Sequence, residues 1–156
     1  MTEQTRDKPQ RVYAKLWSRV YQLLFWSYSL VLIWELFLGK YRSHGGPRRY
    51  NLVPLKTIAG FIENYKSVGV SIFLINLAGN IVAFMPLGFL LPLVFKRTER
   101  LSVITRIIVL SSITAEIVQY IFNVGSLDID DVILNTMGGV LGYLIYRLVA
   151  RNRSFN

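Results

Sequence analysis

The chain has 156 residues, of which 53% are hydrophobic and 17% are charged, with a net charge of +9. This composition is too apolar for an ordinary soluble domain. The absence of Cys and the presence of a single His exclude a disulfide framework, a thiolate metal site and a multi-histidine zinc site within one chain. The basic residues form short clusters beside apolar runs, which favours contact with membrane lipids and argues against a nucleic-acid partner.

Four apolar runs are long enough to cross a bilayer, since a spanning helix needs about 20 apolar residues. They cover residues 18–38, 70–95, 102–124 and 130–150. No internal repeat or low-complexity tract interrupts them. The sequence therefore predicts a single all-α domain over residues 1–156, a four-helix transmembrane bundle in the cell membrane. A basic N-terminal tail (1–17) and a C-terminal tail (151–156) flank it.

The distribution of Lys and Arg predicts the orientation of the bundle. Basic residues are frequent in the N-terminal tail, in the link between the second and third spans and at the C-terminus, and the link between the third and fourth spans has none. The positive-inside rule then places both termini in the cytoplasm. The first link becomes extracytoplasmic although it is basic, so we expect its charges, including Arg48 and Arg49, to contact headgroups or lie over a binding site.

The same link contains a second predicted element. Apolar residues recur at helical spacing over residues 55–66, with polar residues between them. This pattern predicts a short amphipathic helix in the outer membrane interface, between the first and second spans.

The stretch "AEIVQYIFNVGSLDIDDVILNTMGG", residues 115–139, contains four carboxylates between two apolar runs. Glu116 and Gln119 are three residues apart and share a helical face. Asp128, Asp131 and Asn135 share another, and Asp130 is predicted to point away from it. With the orientation above, both faces lie in the outer half of the membrane.

Polar residues of the other two spans fall at the same level. Asn76 and Asn80 are one turn apart in the outer half of the second span, and Glu35 is near the end of the first. Because a charged side chain in the hydrocarbon costs at least a few kcal/mol, such residues normally face the bundle interior and find partners. We expect a polar pocket open to the outer face.

A purely structural role is the alternative for several of these residues. Asn76, Asn80 and Gln119 could serve only as hydrogen-bonding contacts between helices. Asp128 and Asp130 could simply be solvated near the loop, but capping of the fourth helix is the favoured interpretation, because a carboxylate also complements the helix dipole. Glu116 and Asp131 are the best candidates for a functional pocket.

Four motifs in this order resemble the VanZ-like family: "NLVPL" (51–55), "NIVAFMPLGFLLP" (80–92), "EIVQYIF" (116–122) and "DIDDVILNTMGGVLGY" (128–143). The resemblance covers residues 50 to 145. It implies an integral membrane protein connected with low-level resistance to the lipoglycopeptide teicoplanin, with a role in ordinary envelope physiology also open.

Glycines of the fourth span predict close helix packing. Gly138 and Gly142 have the small-xxx-small spacing that lets two backbones approach, either within the bundle or between two copies in a homo-oligomer. Ala78, Gly79 and Ala83 of the second span are the expected counterpart.

Three functions remain open for the pocket. The favoured one is binding of a lipid, a lipid-linked cell-wall precursor or a lipoglycopeptide, without catalysis. The second is a membrane enzyme with Glu116, Asp128 and Asp131 as acid/base groups or metal ligands, for which oxygen-only ligation would suit Mg²⁺ or Ca²⁺. An ion or proton pathway is disfavoured, because the inner halves of the spans are nearly without polar residues.

The orientation can be tested directly, because the chain has no native Cys. We expect Ser43→Cys to be labelled in intact cells by a membrane-impermeant thiol reagent, and Ser154→Cys to be labelled only after lysis. The reverse pattern would show that the termini are extracytoplasmic.

Overall fold

The computed structural model describes residues 7–39, 47–64 and 70–153, and side chains within them for residues 12, 13, 15–39, 47–64 and 77–151. Within these ranges five α-helices follow one another: α1 (Asp7–Leu38), α2 (Lys56–Glu63), α3 (Val70–Val94), α4 (Leu101–Phe122) and α5 (Ile129–Arg153). A 3₁₀ turn (Lys96–Thr98) precedes α4. Two short strands, β1 (Tyr50–Asn51) and β2 (Leu127–Asp128), complete the elements.

Four of these helices are long and apolar enough to cross a membrane, in segments Lys15–Leu38, Leu77–Val94, Leu101–Phe122 and Ile129–Arg151. This confirms the predicted all-α membrane bundle. Helices α1 and α5 extend beyond the predicted spans, since α1 begins at Asp7 and α5 continues to Arg153.

The centre of the bundle is the contact between α3 and α5, which depends on glycine. A Cβ added at Gly138 would lie 2.1 Å from the carbonyl oxygen of Ile81, and one at Gly142 would lie 1.9 Å from that of Met85. The missing side chains let the two backbones touch, as small residues do in membrane helix pairs. The predicted counterpart was wrong, because nothing lies within 4 Å of a Cβ at Gly79.

The same contact bears on the predicted homo-oligomer. Gly138 and Gly142 are both buried, and each faces α3 of its own chain. The predicted homo-oligomer through these glycines stays a prediction.

The remaining spans pack around this pair. Ile104 and Ile108 of α4 are fully buried in the core together with Phe84 of α3. From α1, Tyr28 donates a short hydrogen bond to the carbonyl oxygen of Ala83. At the end where α5 finishes, the Tyr143 hydroxyl donates to the carbonyl oxygen of Glu99, at 2.7 Å.

Helix α4 ends in a motif that turns the chain towards β2. Asn123 adopts the left-handed conformation (φ 54°), and the N–H of Val124 donates to the carbonyl oxygen of Gln119 at 3.0 Å. This is the Schellman arrangement, which satisfies carbonyls left free at a helix end. It allows a short connection between α4 and α5.

The predicted short helix is present as α2, which covers Lys56–Glu63, while residues 65 and 66 lie outside the described residues. It contacts α3 and α5. Ile58 and Phe61, which the sequence assigned to its apolar face, are half-buried. Leu55 and Ile62, which belong to the same face, are 58% and 55% exposed, so the face is only partly shielded within the protein.

Gly142→Ala should lower the thermal stability of the protein, because the added methyl group overlaps the Met85 carbonyl. Overpacking of this kind costs about 1–3 kcal/mol. The matched control is Gly79→Ala, which meets no neighbouring atom and removes a helix-destabilising glycine. A fluorescence-detected thermal melt in detergent measures both, and equal melting temperatures for the two variants would contradict the close α3–α5 contact.

Candidate functional site: a polar network beside an apolar groove

The predicted site residues lie at one end of the bundle, where α4 finishes and α5 begins. We call this the acidic end, and it comprises residues 116–131 with the link segment 47–64. Strands β1 and β2 pair here in parallel, with Tyr50 opposite Leu127 and Asn51 opposite Asp128. The pairing attaches the link to the start of α5.

Asp130 fastens the link segment by capping α2. Its Oδ1 accepts the N–H of Leu55 at 2.5 Å, and its Oδ2 accepts those of Thr57 at 2.8 Å and Ile58 at 3.1 Å. The residue is fully buried. An ionised carboxylate at a helix N-terminus satisfies free backbone donors and complements the helix dipole. The favoured interpretation of Asp130 as a cap of the fourth helix was wrong, because the helix it caps lies 72 to 75 residues earlier in the chain.

Asp128 is the cap of α5, as the favoured interpretation stated. Its Oδ1 accepts the N–H of Asp130 at 2.9 Å and the amide of Asn51 at 3.1 Å. Its Oδ2 accepts the hydroxyl of Thr57 at 2.6 Å. One carboxylate therefore joins α5, β1 and α2, and it is 6% exposed.

Glu116 and Asp131 belong to the same end and connect the spans to it. Glu116 is 5% exposed, and its Oε2 accepts the N–H of Asp128 at 2.8 Å. Asp131 accepts the amide of Asn80 at 2.5 Å, which links α5 to α3. The structure thus pairs Glu116 with Asp128 and Asn80 with Asp131, whereas the side chain of Asn76 lies outside the described residues.

Gln119 and Asn135 make contacts between helices. Gln119 Nε2 donates to the carbonyl oxygen of Leu36 at 2.7 Å, close to the C-terminus of α1, where carbonyls lack helical partners. Asn135 Nδ2 donates to the Ser112 hydroxyl at 2.8 Å. Among the described residues, Asn135 Oδ1 is the buried side-chain atom without a hydrogen-bond partner. Glu35, predicted at the same level as the polar residues, is exposed.

The two predicted arginines have different roles. Arg48 Nη2 donates to the carbonyl oxygen of Ile121 at 3.2 Å, and its guanidinium lies 5.8 Å from the centre of the Tyr120 ring. Arg49 contributes its carbonyl oxygen, which accepts the N–H of Leu127 at 3.2 Å. Both side chains are exposed. Arg48 is thereby positioned at the C-terminus of α4.

Sequence reasoning missed three participants: Asn51, Thr57 and Ser112. Asn51 also accepts the N–H of Val53 at 3.1 Å, an Asx turn that the Asn-Leu-Val-Pro sequence could have suggested. Ser112 precedes Glu116 by four residues and so shares its face. No local signal marks Thr57.

The arrangement does not suit a divalent metal ion. In the part of the chain that the structure describes, no group of three or more His, Cys, Asp or Glu residues is placed to hold one. The oxygens of Asp128 and Asp130 instead accept hydrogen bonds from protein donors. A Mg²⁺ or Ca²⁺ site on Glu116, Asp128 and Asp131 would have to break this network.

An apolar groove lies beside the network, between α1, α3 and α4. Its volume is about 470 Å³. Its lining is almost entirely apolar, with three hydroxyl groups, and consists of Ser29, Leu32, Ile33, Leu36, Phe37, Phe84, Leu87, Leu110, Ser111, Thr114 and Ala115. All of these residues belong to the apolar segments that could span a membrane. Ala115 directly precedes Glu116, so groove and network are adjacent on α4.

The chain is similar in sequence to known proteins. The family model VanZ/LLP1 matches residues 22–150, a range that contains all four apolar segments in whole or large part and the whole acidic end. Protein VanZ of Enterococcus faecium is 34% identical over 128 residues, which cover 78% of this chain and 70% of that protein. The chain belongs to the VanZ/LLP1 family. The resemblance found in the sequence is confirmed, and the membrane location it implied agrees with the four apolar helices.

No solved structure matches the chain.

Asp130→Asn should loosen the link segment, because the amide supplies a donor where two backbone N–H groups need an acceptor. A hydrogen bond to a charged group contributes about 1.5–3 kcal/mol. Hydrogen–deuterium exchange measured by mass spectrometry should show faster exchange in peptides that contain Leu55, Thr57 and Ile58. Glu63→Gln, an exposed carboxylate of the same helix, is the control. Unchanged protection in Asp130→Asn would refute the proposed capping role.

Proposed function

We propose that this protein binds an anionic lipid or lipid-linked envelope molecule at the extracytoplasmic side of the membrane. The ligand's hydrocarbon chain occupies the groove between α1, α3 and α4, and its charged headgroup contacts Arg48. Through this binding the protein changes the susceptibility of the cell to lipoglycopeptides such as teicoplanin.

The alignment of the groove with Arg48 carries the proposal. Leu110, Thr114 and Ile121 lie on one face of α4, at helical spacings of four and seven residues. The first two line the groove, and Arg48 bonds the carbonyl oxygen of the third. Seven residues at 1.5 Å each put Arg48 roughly 10 Å above Thr114. That separation suits a molecule with its chain in the groove and its phosphate at the arginine.

The chemistry of the two regions is complementary to such a ligand. A groove lined by Leu, Ile and Phe at the level of the spans offers apolar contacts that match a hydrocarbon chain. Arg48 is exposed, and its planar guanidinium forms bidentate contacts with phosphate. Arg49 and Lys56 are also exposed in the same segment and add positive charge.

The carboxylates take a supporting role in this proposal. Glu116, Asp128 and Asp130 are almost completely buried and accept hydrogen bonds from the protein. They hold the link segment, and therefore Arg48, at the end of the groove. A headgroup approaching from outside meets the exposed arginine, because the negative charges lie behind it.

A lipoglycopeptide carries a hydrocarbon chain of its own, so it is an alternative source of the same ligand chemistry. Direct competition between teicoplanin and an envelope lipid for the purified protein distinguishes them. Capture of the drug would make the protein a drug-binding factor, whereas lipid binding without drug binding would place its effect on the membrane or on cell-wall precursors.

Ser111→Trp should fill the groove and reduce lipid binding, while Ile113→Trp, on another face of α4, should not.

Arg48→Gln should weaken binding of phosphatidylglycerol about fivefold at low salt, since a basic residue near an anionic surface contributes about 1 kcal/mol. The loss should shrink at high salt. Native mass spectrometry in detergent, with phosphatidylcholine for comparison, measures each effect.

Arg97→Gln is the matched control for Arg48, since Arg97 is exposed in the 3₁₀ turn near the other end of the bundle. Equal lipid binding by wild type, Ser111→Trp and Arg48→Gln would rule out this site. A new product formed from envelope lipid by the wild type but not by Glu116→Gln would instead establish an enzyme.

A further inference from the structure

The link between α1 and α3 exposes a compact apolar tip. Tyr50, Leu52, Val53 and Leu55 are 69%, 63%, 58% and 58% exposed, respectively. We call residues 50–55 the tip. Apolar side chains grouped in this way on a loop need a partner, because contiguous exposed apolar patches mark sites of protein or membrane contact.

The backbone of the tip is fixed rather than loose. Asn51 pairs with Asp128 in the strand register, and its side chain accepts the N–H of Val53. Leu55 has φ 64°, a left-handed conformation that costs a non-glycine residue free energy. Its N–H is bonded by the buried Asp130. Because the side chain of Leu55 points to the outside, it adds little packing in the interior that could offset the strain of its backbone. This indicates a function at the surface.

The charges around the tip indicate which kind of partner it fits. Arg48, Arg49 and Lys56 flank it and are exposed, and residues 47–62 contain no Asp or Glu. An apolar centre bordered by cations matches a bilayer surface that contains anionic lipid, where cations contact headgroups and apolar side chains reach the acyl boundary.

The position of the tip agrees with this partner. Strand β1 is paired with β2, which immediately precedes the apolar segment Ile129–Arg151. The tip therefore lies at the level where a span enters the membrane. The geometry points to a membrane-inserting tip: residues 50–55 enter the headgroup–acyl boundary of an anionic leaflet, next to the bundle. This inference depends neither on a ligand in the groove nor on which side of the membrane the link faces.

Site-directed spin labelling tests the tip, because the chain has no Cys to remove. Val53→Cys and, separately, Leu52→Cys are labelled and reconstituted in vesicles of phosphatidylcholine with or without phosphatidylglycerol. Collision rates with oxygen, which partitions into the bilayer, and with a water-soluble nickel chelate report depth. Arg97→Cys is the aqueous control, and Leu30→Cys is the hydrocarbon control because Leu30 is 69% exposed within the apolar segment Lys15–Leu38 and does not line the groove.

We expect labels at Val53 and Leu52 to collide with oxygen several-fold more often than with the nickel chelate. Both labels should lie deeper in the anionic vesicles than in the vesicles of phosphatidylcholine alone. Nickel accessibility equal to that of the Arg97 label would overturn insertion. Shielding from both reagents together with spin–spin broadening would show that a second copy covers the tip, which also overturns it. Equal depth in both vesicle types would overturn the anionic preference. Ser111→Trp should leave the depth unchanged, so failure of the groove and failure of the tip are distinguishable.

Discussion

The structure depends on buried carboxylates that accept hydrogen bonds from the protein's own backbone. In a bilayer no water is available to satisfy a polar group, so each one must find its partner within the chain. Asp130 meets this requirement by accepting three N–H groups at the start of α2, and Asp128 does so by joining α5, β1 and Thr57. These contacts fasten the link segment, residues 47–64, to the end of the bundle.

The rest of the architecture follows from this attachment and from glycine. Close approach of α3 and α5 at Gly138 and Gly142 makes a dense centre, and Asn80 extends that contact to Asp131. Gln119 ties the end of α1 to α4. Further from the acidic end than the Gln119 contact, α1 stays far enough from α3 and α4 to leave the groove open. The groove is thus a consequence of where the helices are held together.

Structural contacts and the proposed ligand-binding surfaces use different residues. The carboxylates are the residues that the sequence marks as candidates for catalysis or metal binding. In the structure they mainly accept hydrogen bonds that hold its parts together. Within the described residues, the surfaces on which we base our proposals are an apolar groove, an exposed arginine at its end and an apolar tip bordered by cations. All three match the parts of a lipid, which is why we favour binding over catalysis for this VanZ/LLP1 protein. Rigid support of Arg48 by a buried network also fits a site that must keep its geometry at a fluid surface.

The sequence by itself determined the membrane spans, the short amphipathic helix, the cap at Asp128 and the gathering of polar residues at one end, because apolar length, helical period and local capping are properties of neighbouring residues. It could not assign Asp130 to α2, find Thr57, or choose Ile81 and Met85 over Gly79 as the partners of the α5 glycines. Those contacts join residues 57 to 75 positions apart. Only the tertiary structure decided them, since the rotation and depth of each helix are set by packing against the others.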